Sequence, residues 1–129
     1  MNRVNLQKMA DHIKTIPQEM FDMGCYRRDY LPEFEPECKT IGCVIGHCTV
    51  LDPDLFIKIR EKNFPFDVWS ETYTSLATMS REWCWCFSDE WQFVDNTPLG
   101  ASKRIEWIIN NGLPENWQEQ MCGKEELCY

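Results

Sequence analysis

Thr97-Pro98-Leu99-Gly100-Ala101-Ser102-Lys103-Arg104-Ile105-Glu106-Trp107-Ile108-Ile109-Asn110-Asn111-Gly112-Leu113-Pro114 carries the signals for both ends of a helix. Thr97 is a cap, because its hydroxyl can accept from a backbone N–H that the first turn leaves unpaired. Pro98 suits the first helical position, where a missing N–H costs nothing. Ala101, Ile105, Ile108 and Ile109 form an apolar face. Gly112 supplies a left-handed stop and Pro114 forbids continuation.

The rest of the chain repeats that helical pattern in shorter pieces. Leu6, Met9, Ile13 and Ile16 make an amphipathic stripe, with Asn5 as its cap, Pro17 as its end and His12 on its rim. From Thr40, the set Ile41, Val44, Ile45, Cys48 and Leu51 fits a helix in which Gly42 and Gly46 share one side. Two glycines there imply that another element or a ligand approaches the backbone closely. Asp52-Pro53 restarts the chain, and the following "LFIKIR" reads equally as helix or strand. Phe66, Trp69, Tyr73 and Leu76 predict a helix ending near Met79. Ser80 caps "REWCWCF", where Trp83 and Phe87 share a face, and Ser88 caps the next turn, which holds Trp91. A last short helix carries Trp117 and Met121, and the tail "GKEELCY" reads as frayed. Residues 22–38 hold two prolines and no sustained period, which predicts a long connecting loop. The expected architecture is all-α: one compact domain over 1–129 with five to seven short helices.

Composition bounds the function. The chain has 129 residues, 43% of them hydrophobic, with six Trp and seven Phe, so it can bury a substantial core. The formal net charge is −8, and Arg27-Arg28 and Lys103-Arg104 are the longest basic pairs. Direct nucleic-acid binding, which needs clustered cations to displace counterions, is disfavoured. An acidic surface suits a basic partner or solubility. No signal-type apolar run and no membrane span is evident, so the expected location is the cytoplasm, where the eight cysteines stay reduced.

Three of those cysteines lie in "CKTIGCVIGHC", residues 38–48. On a helix, Cys43 and His47 sit one turn apart on one face, and Cys38 can fold back toward them. Together they are candidate zinc ligands, thiolate and imidazole being the donors zinc favours. A fourth ligand would come from Cys25, Cys84, Cys86, Cys122 or Cys128. The spacing matches no standard zinc-finger pattern, and the same residues read more simply as small core thiols beside a hydrogen-bonded histidine. A thiol-dependent enzyme using Cys43 and His47 would further need an orienting Asn or Asp, and none is evident. Cys84 and Cys86 are two apart, too close for the spacing of a redox pair. Trp83, Trp85 and Trp91, with Phe87 and Phe93, can line a pocket or an interaction face, although such rings more often form core. No P-loop, dinucleotide fingerprint, nucleophile elbow or paired-histidine protease motif is present.

The segment "CKTIGCVIGH", followed far downstream by a tryptophan-phenylalanine run and by "TPLGASKRIEWIINNG", resembles a group of small bacteriophage and bacterial proteins with no assigned activity. The resemblance spans roughly residues 5–117. It departs at Lys39, where members more often carry Gly. What it implies is a phage-encoded protein acting in the host cytoplasm, where small acidic phage proteins often occlude a host factor or defence nuclease. The expected function is therefore a protein-binding protein with a host protein as partner. A zinc-stabilised domain and a thiol enzyme are the alternatives.

Overall fold

The computed structural model describes residues 1–24 and 42–122. Among these, seven α-helices and three 3-10 turns follow one another, with no strand. They are α1 (Arg3–Ile13), α2 (Val44–Cys48), α3 (Pro53–Ile59), α4 (Pro65–Thr74), α5 (Arg81–Phe87), α6 (Pro98–Asn111) and α7 (Trp117–Cys122). The 3-10 turns are Gln18–Met20, Thr49–Leu51 and Asp89–Phe93. The chain is all-α, as its periodicity predicts. No described helix is long and apolar enough to cross a membrane.

Local chemistry explains most element ends. Asp52 Oδ1 accepts from Leu55 N at 3.2 Å and Pro53 follows it, so "LFIKIR" resolves as the helix α3. Ser80 Oγ accepts from Trp83 N at 3.2 Å to open α5, and Ser88 Oγ accepts from Glu90 N at 3.1 Å to open the next turn. Thr97 Oγ1 accepts from Gly100 N at 3.0 Å to open α6, and Gly112, at φ 79°, closes it.

Three expectations change. The cap of α1 is Asn2, whose Oδ1 accepts from Asn5 N at 3.0 Å, while Asn5 donates from Nδ2 to Tyr73 O at 2.8 Å. The second helix starts at Val44 with Cys43 as its extended cap. Gly42 lies outside it and forms a parallel bridge with Phe21, through Asp22 N to Gly42 O at 2.9 Å and Gly42 N to Met20 O at 3.0 Å. Another segment does approach Gly42, but as a bridge and not across a helix face. The fourth helix stops at Thr74, because Ser75 turns left-handed at φ 60° and Leu76 N donates to Thr74 Oγ1 at 3.2 Å. Leu76 still enters the core, from the following loop.

One cluster of buried side chains joins these helices. The pair α1 and α6 is the most extensive, with small Ala10, Ala101 and Ser102 at the contact. Ser102 Oγ donates to Ala10 O at 2.9 Å across it. Leu6, Met9 and Ile13 of α1 meet Ile105 and Ile108 of α6 in the interior. Each contributes roughly 1.5–3 kcal/mol by leaving water. Ile109 is only partly buried, and its place on the inner face is taken by Ser102 and Arg104.

Candidate functional site

The inner face of α6 runs Ala101, Arg104, Ile105, Ile108, at helical spacing of three and four. It therefore carries a charged residue into the interior, where Arg104 is only 6% exposed. A guanidinium in that position needs partners. Its Cζ lies 4.1 Å from the centre of the Trp91 ring, close enough for a cation–π contact. Nη1 donates to Asp95 O at 3.2 Å and stands 3.6 Å from Asp95 Oδ2. Nε and Nη2 are buried with no hydrogen-bond partner. Burial pulls Arg104 down to about 10 against the pull of Asp95, so the group stays protonated at neutral pH.

The tryptophans beside it form a relay that holds the wall in place. Trp91 Nε1 donates to Trp85 O at 2.9 Å, and Trp85 Nε1 donates to Arg104 O at 2.8 Å. The two rings meet edge to face, centroids 5.4 Å apart. Asp95 is fixed from the other side: Thr97 Oγ1 donates to its Oδ1 at 2.5 Å, and Gly100 leaves room for its carboxylate, where a Cβ would collide. Against this wall lies a cavity of about 480 Å³, bordered by Trp85, Trp91, Lys103, Arg104, Trp107 and Pro114. That volume suits a small ligand or one anchoring side chain. Trp107 lines the cavity and is half-exposed to solvent.

The two candidate regions named by the sequence fare differently. Trp85 and Trp91 are buried, yet both border the cavity. Trp83 lies elsewhere, its Nε1 donating to the buried Ser70 Oγ at 2.9 Å. It borders a smaller cavity of about 230 Å³ together with Cys43 and Met79. His47 Nε2 is 2.7 Å from Met20 O; a carbonyl only accepts, so that nitrogen carries the proton. It is thereby engaged in structure rather than turned to a ligand. Cys43 is buried at the start of α2, while Cys38, Cys25 and Cys128 lie outside the described residues. Among the described residues no three His, Cys, Asp or Glu side chains are placed to share a metal ion. Cys43 and His47 alone fall short of the four ligands of a closed zinc site.

Nor do the described thiols have the environment of a nucleophile. Cys43, Cys48 and Cys86 are buried and reduced, and Cys84, also reduced, is partly exposed. Burial, then the neighbouring Cys43, raises Cys48 well above the ordinary thiol value. Burial lifts Cys86 to about 12, although Arg104 opposes the change. A reactive thiol requires the opposite shift. Cys122 is disulfide-bonded, which corrects the expectation of a uniformly reduced set. His12 sits against the His47 backbone, lowered by burial, in keeping with a rim position.

Sequence reasoning missed Arg104, Asp95 and Trp107. The signal was present: Arg104 falls three after Ala101 and four before Ile108, on the apolar stripe itself, while Trp107, one turn beyond Arg104, falls at the flank of that stripe. No protein-family model matches the chain, and no curated protein or solved structure matches it. The reading of the site therefore rests on its geometry.

Proposed function

We propose that this protein is a binding protein rather than an enzyme, phage-encoded and directed at a protein of the host cytoplasm. The observation that supports it most is the tryptophan-walled cavity beside α6, with Trp107 on its lining left exposed. Aromatic side chains set around a ligand-sized concavity are the composition of an anchoring hot spot. The raised thiol values and the engaged His47 ring argue against nucleophilic catalysis. The −8 charge favours approach to a basic surface and repels nucleic acid.

The test is capture from bacterial lysate by the tagged chain and by Trp107→Glu. Trp107 is exposed, so the change leaves the core intact. A stoichiometric partner held by the native chain and released by the variant supports the reading. Equal capture by both chains, or no stoichiometric partner, refutes it.

A further inference from the structure

We propose that the cavity between the 3-10 turn Asp89–Phe93, α6 and α7 binds a carboxylate carried on an apolar, preferably aromatic, group, with Arg104 as the counter-ion. This deepens the binding reading above and rests on it. The first ground is the pair of orphaned donors. Buried N–H groups are nearly always paired, because leaving one unmade forfeits about 1–3 kcal/mol and more on a charged group. Arg104 leaves two, Nε and Nη2, on one guanidinium at the cavity wall. The Trp91 face offsets the charge but is a poor acceptor for those N–H bonds. A carboxylate is the acceptor that meets a guanidinium with two parallel bonds.

The second ground is the charge around the cavity. Among the described residues, Lys103 and Arg104 stand against a single lining carboxylate, Asp95. That carboxylate is already engaged, with Thr97 Oγ1 donating to Oδ1 and Arg104 Nη1 near Oδ2. The cavity is thus locally basic in a chain of net charge −8. The third ground is its walls: Trp85 and Trp91 have both indole N–H groups committed to backbone carbonyls. They offer a ligand ring surface and no further donors, which suits an apolar body behind the acid. Nε and Nη2 are covered, so binding requires a local shift, with two charge-assisted bonds formed as it occurs.

The experiment titrates the full chain with 3-phenylpropionate and with its uncharged amide, read by tryptophan fluorescence at low salt. The acid is expected to bind at least tenfold tighter than the amide. Arg104→Met should bring the acid to the amide's level, and Arg104→Lys should retain part of the difference. Equal affinity for acid and amide, no binding of either, or full acid affinity in a folded Arg104→Met chain overturns the proposal. Should Arg104→Met fail to fold, the acid–amide comparison on the native chain decides alone. A phenylalanine-terminated peptide with a free carboxylate forms the second arm. Tighter binding than 3-phenylpropionate assigns the anchor to a protein terminus, and weaker binding assigns it to a free small acid; either supports the site. No partner is needed for these titrations, so failure to capture a host protein refutes the binding reading separately.

Discussion

Arg104 is a charge buried in the core with incomplete compensation. Desolvating a guanidinium is expensive, and its ion pair with Asp95, at 3.6 Å to a half-exposed carboxylate, returns only part of that. Arg104→Met, similar in length and free of charge, should therefore leave stability within about 1 kcal/mol of the native chain in urea unfolding. Arg104→Ala should lose about 2–4 kcal/mol, because it leaves a void beneath the Trp91 ring. Equal loss in both would mean that the charge itself holds the fold. Ser70 is the converse case, a small polar residue serving structure: its fully buried hydroxyl accepts from Trp83 Nε1 and donates to Asp67 O at 2.8 Å. Ser70→Ala should cost about 1–3 kcal/mol by stranding the indole N–H, whereas Ser70→Thr, which keeps the hydroxyl, tests crowding alone.

At the scale of the element, α6 is held at its N-terminus by two devices of different visibility. Thr97 is the cap that its sequence position announces, and Thr97→Ala should cost about 1 kcal/mol in chemical unfolding. Gly100 reads as a liability in a helix, where alanine would be preferred by about 1 kcal/mol. Its Cα faces the Asp95 carboxylate, and an added Cβ would overlap that group. Gly100→Ala is therefore expected to destabilise by about 1–3 kcal/mol despite its better propensity, and to loosen Arg104 by displacing Asp95. An increase in stability would show that Asp95 moves aside freely. The end of α2 nearest the chain start teaches the same lesson: the apolar period continued back to Thr40, yet the backbone of Gly42 is taken by Met20 and Asp22, so the helix begins at Val44. The caps of α3, α5 and α6 were legible, whereas the Asn2 cap of α1 and the end of α4 at Ser75 were missed although local, and the start of α2 was set by a distant segment.

For the whole molecule, the buried thiols set a pH limit. Cys86 is lifted to about 12, and Cys48, Cys84 and Tyr73 are raised as well, each chiefly by burial. In the unfolded chain a thiol releases its proton near 9, while the folded chain holds it. The stabilisation is complete below pH 9 and is lost between pH 9 and about 12. Arg104, lowered to about 10, contributes in the opposite direction only above that pH, as the folded form sheds a proton the unfolded form keeps. Thermal melts should therefore show Tm falling as pH rises from 9 to 10, with a shallower fall in Cys86→Ala. A flat profile would mean that water reaches these thiols. Consistently, Cys48 and Cys86 should resist a thiol reagent in the native chain and react on unfolding, with Cys84 the most accessible of the described reduced thiols.

The helical class, the order of the elements and most of their caps followed from the chain alone, because a helix is decided within about four residues: the cap, the 3.6-residue period and the stop are all local. Trp91 was visible as a ring in the same way, but not as the face on which a cation rests. The cavity depends on Trp85 meeting Arg104 across nineteen positions, and on α7 folding back against the turn that carries Trp91. Only tertiary structure decides such meetings, since they depend on how separate apolar faces close on one another and not on what any one stretch prefers. The arginine was written into the apolar stripe of α6; its need for a partner arose only once the core closed around it.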